Sequence, residues 1–204
     1  LNDLNAVGAA ALDVGTGQID QAIIAQGVQE VVGQIVAQTT ALVGAGVGTI
    51  ILNTLPGGSF FPASNDAIAL INSVSGPGVG EALFDDVSVA VNDGIKAFGA
   101  SLEAGGTNVE IVDFFSLAAE IQADQETFGF LTLENALSGS GPFGVQELLI
   151  DPNDTPIDQV GFLDEVHFTA ELHEVFGGFQ SITLFNEQID GDDGFGFISS
   201  GSGE

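Results

Sequence analysis

The sequence predicts an α/β fold with parallel strands, and one pattern seen twice carries the prediction. In each case apolar residues spaced by three and four, the signature of an amphipathic helix, give way across a glycine break to a short apolar run rich in β-branched residues. The breaks are Gly44-Ala45-Gly46 and Gly105-Gly106, and the runs that follow span 47–52 and 108–113. A continuous run of this kind is what a strand buried on both faces of a parallel sheet requires. Helix followed by buried strand is half of a βαβ unit.

The first helix is expected over 19–43, with Ile23, Ile24, Val28, Val31, Ile35, Thr39 and Leu42 on its apolar face. After the strand at 47–52, Asn53-Thr54-Leu55-Pro56-Gly57-Gly58 reads as a loop closing that strand. It is not a phosphate cradle, because neither a Gly-x-Gly-x-x-Gly nor a Walker pattern follows and no lysine is near. The second helix is expected over 81–102, where Leu83, Val87, Val91, Ile95, Phe98 and Leu102 share a face. Asp113, at the end of the second strand, is expected to cap the next segment rather than to catalyse.

Bulk composition narrows the partners. The 204 residues are 45% hydrophobic, enough for one domain with a real core. The formal net charge is −28 and Lys96 is the single basic residue, so nothing in the chain neutralises phosphates. Nucleic acid and anionic membrane surfaces are therefore poor partners, and such an acidic surface suits high-salt surroundings. No run is long and apolar enough to predict a transmembrane segment. With no cysteine there is no disulfide, no thiolate metal site and no cysteine nucleophile.

Candidate chemistry concentrates between 161 and 178. Both histidines of the chain, His167 and His173, lie there, and Asp164 stands three residues before the first. Histidine exchanges protons near neutral pH, and a carboxylate folding back across a turn can hold its ring in one tautomer. In that arrangement Asp164 orients and His167 shuttles the proton. Thr169 reads as the N-cap of a helix with Glu171 in its first turn, and Gly177-Gly178 reads as its stop. Acidic residues are so abundant here that Asp-x-x-His alone would more often be a solvated turn.

The segment Asp164-Glu165-Val166-His167-Phe168-Thr169, with His173 beyond it, resembles the last sequence block of the GDSL, or SGNH, lipase and esterase family. That block usually reads Asp-x-x-His-Pro-Thr, and Phe168 stands where proline is common. Asn2-Asp3 resembles the end of the family's third block, and Asn53-Thr54-Leu55-Pro56 resembles a segment of its phospholipase and haemolysin branch. The resemblance implies a three-layer α/β/α fold with a parallel sheet and hydrolysis of a carboxylic ester, plausibly of a lipid or phospholipid. It implies His167 as catalytic base, Asp164 as its partner, Asn2 as an oxyanion-hole donor and His173 as a packing residue. It also implies a wall of the cleft at the loop after residue 52, a lid-like region over 114–160, no metal or organic cofactor, and a secreted or extracellular setting. Phe128, Phe130, Leu131, Phe143 and Leu148 could line an acyl site in that region, although core packing explains phenylalanines as often.

The family's Gly-Asp-Ser-Leu block does not occur in the chain, nor does a Gly-x-Ser-x-Gly elbow, and Ser59 lies in the wrong block to replace it. The expectation is that residues 1–180 form the C-terminal portion of such a domain, with the serine supplied from before residue 1. Residues 181–204, acidic and rich in Gly and Ser, then read as a linker into a further domain after Glu204. Asp190-Gly191-Asp192-Asp193-Gly194 lacks the spacing of a calcium loop, so a solvated linker is the better reading. Two rival expectations stand beside the lipase or esterase: a non-catalytic acidic surface or adhesion module, and an esterase acting on acetylated sugars.

Overall fold

The computed structural model describes residues 10–13, 18–136, 156–163 and 167–186. Asn2, Asp164, Phe143, Leu148 and the acidic tail from 187 onward lie outside them. Strands β1 (Leu12–Asp13) and β2 (Gln18–Ile19) form a small antiparallel pair. Helix α1 (Gln21–Gly44) starts at Asp20, whose carboxylate accepts a 2.9 Å hydrogen bond from the Ala22 N–H. Strand β3 (Thr49–Asn53) follows, then two single 3-10 turns at Gly58–Phe60 and Pro62–Ser64, helix α2 (Asn65–Ser75) and helix α3 (Val79–Ala104). Strand β4 (Asn108–Val112) returns beside β3, pairing parallel with it from Thr49↔Asn108 to Asn53↔Val112. After it come α4 (Phe114–Ala123), β5 (Thr132–Asn135), a 3-10 turn at Ile157–Gln159, β6 (Val160–Phe162) and α5 (Ala170–Asn186). Strands β5 and β6 are also parallel.

The chain is thus a mixed α/β protein, with two parallel strand pairs and one antiparallel pair among the described residues. The two long helices end where the glycines demand it. Gly46 and Gly106 take φ values of 88° and 89°, a left-handed conformation that side chains with a Cβ resist. At each, the glycine N–H and the next N–H turn back onto the helix's last carbonyls: Gly46 to Val43 and Val47 to Leu42, Gly106 to Glu103 and Thr107 to Leu102. That pairing is the Schellman stop, and it launches β3 and β4 from the same kind of corner.

Two cores sit side by side. One is aliphatic and gathers Ile24, Ile50, Leu52, Ile68, Ile71, Leu83, Val87, Val91 and Ile95 from α1, α2, α3 and the β3–β4 pair. The other is aromatic, built on Phe60, Phe61, Phe130, Phe162 and Phe176 with Leu117, Ile121 and Leu172. Among the described residues no helix is long and apolar enough to cross a membrane.

Four expectations need correction. Gly177-Gly178 does not stop α5, which continues to Asn186. Each glycine costs a helix about 1 kcal/mol, but Phe176 and Phe179 on either side pack onto Phe114 at 4.8 and 6.4 Å, and that packing carries the helix through. Strand β3, expected to be buried on both faces, instead alternates exposed and buried residues, with Ile51 41% exposed. Leu42 is 52% exposed rather than part of the helix's apolar face. Within 114–160, Phe114–Ala123 is a regular helix, and Phe130, at 1% exposure, is core rather than lining.

Candidate active site

The site is built on β6. Val160, Gly161 and Phe162 are all buried, and the chain then doubles back so that Phe168 bridges Phe162 in antiparallel sense. The Leu163 N–H donates to the His167 carbonyl at 2.8 Å, and the Thr169 N–H donates to the Gly161 carbonyl at 3.0 Å. Thr169 is 5% exposed, and its hydroxyl donates to the Val160 carbonyl at 2.7 Å. The same oxygen receives the Leu172 N–H at 3.4 Å, so Thr169 also caps α5, as its place in the sequence predicts. His167 itself is exposed. A solvent-facing imidazole therefore stands on a turn whose neighbouring residues are fixed by buried hydrogen bonds.

Aromatic rings fix the same turn from the other side. The Phe168 ring stacks on Phe61 with centroids 6.0 Å apart and planes at 10°, and on Phe176 at 5.0 Å and 29°. Phe162 and Phe60 meet it edge-on at 5.3 and 6.2 Å. Such pairs contribute about 0.5–1.5 kcal/mol each beyond simple burial. Phe60 and Phe61 come from the turn after β3, so the loop expected as a cleft wall does pack against the histidine segment.

That loop is in turn clamped to α3. Asn92, 3% exposed, behaves like a neighbouring strand: its amide oxygen accepts from the Leu55 N–H at 2.7 Å and its NH2 donates to the Leu55 carbonyl at 2.9 Å. About two turns earlier, Asp85 accepts from both the N–H and the hydroxyl of Ser59, each at 3.0 Å. Gly58 lies so close to α3 that a Cβ there would sit 2.8 Å from the Phe84 carbonyl oxygen, which explains why the position has no side chain. Ser64 Oγ lies 2.6 Å from the Phe61 carbonyl and closes the turn.

At the carboxyl ends of β3 and β4 a second polar group assembles. The Thr54 hydroxyl donates to Asp113 at 3.1 Å and accepts from the Phe115 N–H at 3.0 Å. Asp113 caps α4 through the Ser116 N–H at 3.2 Å and hydroxyl at 3.0 Å, the structural role its sequence position implies. Partial burial acts to raise its pKa, but the hydrogen bonds from Ser116 and Thr54 and the charge of Lys96 outweigh that and hold the carboxyl below the ordinary aspartate value. Lys96 Nζ is 4.0 Å away and half exposed, so the ion pair itself adds little.

Of the residues expected to do chemistry, His167 is placed on the exposed turn, while Asp164 and Asn2 lie outside the described residues. His173 is on α5, its ring 5.4 Å from Phe168. Sequence reasoning missed Phe60, Phe61, Asp85 and Asn92. Asn92 had a signal: it adjoins Val91 on the buried side of α3, and a buried asparagine has four hydrogen-bonding sites to satisfy. A scan against protein-family models finds no match to this chain, and a search of the curated proteins finds none either.

Proposed function

We propose that the chain is the C-terminal portion of a GDSL-type carboxylic ester hydrolase with a three-layer α/β/α fold, acting on an acyl ester or lipid. The observation that carries this reading is the setting of His167: an exposed imidazole just beyond the carboxyl end of a strand from a parallel pair, on a turn pinned from both sides. In α/β folds, ligands meet the protein outside the carboxyl ends of the parallel strands. The loop after β3 reaches the same place through the Phe61–Phe168 stack, as a cleft wall would.

In the proposed mechanism a serine from sequence outside these 204 residues attacks the ester carbonyl. His167 takes the hydroxyl proton and returns it to the leaving alcohol, Asp164 orients the ring, and Asn2 donates to the oxyanion. No metal or organic cofactor enters these steps. The acidic surface gives no electrostatic pull toward anionic lipid, so an acyl substrate would be held by apolar contact. The setting proposed for the hydrolase is secreted or extracellular.

The test is to express the full product of the gene and treat it with a fluorophosphonate, which labels serines activated by a neighbouring base. Labelling of one serine outside the present residues, slowed by orders of magnitude in His167→Ala, is the expected result. A full-length product that takes no label and hydrolyses neither acetylated sugars nor short- or long-chain p-nitrophenyl esters would replace this reading with the acidic surface or adhesion module.

A further inference from the structure

The rings around His167 do more than fill a core. Phe61, at 2% exposure, belongs to the turn tied to α3, while Phe168 is the residue next to His167 and is only half buried. Their planes lie within 10° of parallel. A stacked pair can slide in its plane but cannot tilt without opening a gap, so the Phe61 face sets the plane of the Phe168 ring. Phe176 also stacks on the Phe168 ring, at 5.0 Å. The Phe168 side chain is thereby confined, and with it the backbone that joins it to His167.

Leu163 holds the His167 carbonyl and Thr169 holds the start of α5, and both belong to the same local hairpin as His167. Aromatic contacts from Phe60 and Phe61 reach that hairpin from the loop after β3, which Asp85 and Asn92 fasten to α3. A link from α3 to Phe61, to Phe168 and then to His167 thus registers the turn against the other half of the molecule.

We propose that Phe61 and Phe168 are positioning residues for His167: their stack fixes the direction of the imidazole relative to the loop after β3. The proposal deepens the hydrolase reading and rests on it for its catalytic meaning. The stack sets the distance between the base and the cleft wall, which is the distance an ester must fit. The chemistry needs this because misplacing a general base by about 1 Å costs on the order of 100-fold in rate.

The experiment is NMR on the full-length product with no ester present, comparing wild type with Phe61→Leu, Phe168→Tyr and Ile95→Val. Phe61→Leu keeps an apolar side chain and removes the stack, Phe168→Tyr keeps the stack, and Ile95→Val makes a loss in the aliphatic core. With Phe61→Leu, the imidazole signals of His167 are expected to shift and broaden. The backbone amide order parameters of His167 and Phe168 are expected to fall from about 0.85 toward 0.6 or below. Phe168→Tyr is expected to retain the wild-type values, and Ile95→Val is expected to lower the Tm without moving His167. An unchanged His167 in Phe61→Leu, or the same change in Ile95→Val, overturns the proposal. Because the imidazole itself is read, that failure is separate from failure of the hydrolase reading, which only the labelling of the full-length product decides.

Discussion

The aliphatic and aromatic cores solve different problems with different side chains. The first is assembled from long, regular elements: α3 alone contributes Leu83, Val87, Val91 and Ile95, a stripe repeating every four residues, and β3 and β4 lay Ile50, Leu52 and Val109 against it. Branched aliphatics suit such a surface because they fill the space between a helix and a sheet with little rotamer freedom to lose. The second core is drawn from shorter pieces: a 3-10 turn, the ten-residue α4, the three-residue β6 and the first half of α5. Turns supply few repeating contacts, and large flat rings compensate by reaching across gaps that a leucine would leave open. The difference teaches where rigidity comes from. In the aliphatic half it follows from secondary structure, whereas around His167 tertiary ring contacts add to the hydrogen bonds of a short turn.

The sharpest way to break that contrast is to empty each core. Phe162 is fully buried and touches Phe60, Phe61 and Phe168. Phe162→Ala should cost about 3–5 kcal/mol of unfolding free energy by urea titration, and Ile95→Ala about 2–5 kcal/mol. Hydrogen exchange at 160–169 should accelerate far more in the first than in the second. Equal acceleration would mean that the two cores are one.

A smaller effect is expected where the halves meet. Asn92→Leu removes both bonds to Leu55 and leaves a part-buried N–H and carbonyl without them, a loss of about 1–3 kcal/mol that Asn92→Asp should only partly share. Smallest is the acid response of Asp113. Its folded pKa is depressed, so its contribution is present above the unfolded value near 3.9 and is lost as pH falls through the folded value. Asp113→Asn should therefore flatten the stability curve below about pH 4, by about 1 kcal/mol or less for so exposed a carboxylate. Chemical denaturation at stepped pH reads it directly, and an unchanged acid limb would deny Asp113 its capping role.

The same contrast explains what could be read in advance. Helices α1 and α3 and strands β3 and β4 were legible because period and glycine stops agree there: Leu83, Val87, Val91 and Ile95 mark a face, and Gly105-Gly106 marks an end. The aromatic half has no such period. Phe60 lies far from Phe162, Phe168 and Phe176 in sequence and joins their cluster only after β3, β6 and α5 are placed. The continuation of α5 through Gly177-Gly178 was hidden for the same reason, since contacts with Phe114 override local propensity. Within the site, His167 stood out because histidine is so scarce. The clamp from Asp85 and Asn92 did not, because polar residues on a helix look alike until one side of it is covered.

The central claim is that the pinned turn presents His167, and not His173, as a proton-transfer group. The direct measurement is kcat/KM for hydrolysis of a p-nitrophenyl ester by the full-length product, comparing His167→Ala with His173→Ala. The account predicts a loss of roughly 1,000-fold or more for His167→Ala, as for removal of a catalytic base, and a change within a few-fold for His173→Ala. Comparable activity in the two variants, or a larger loss at His173, would contradict it.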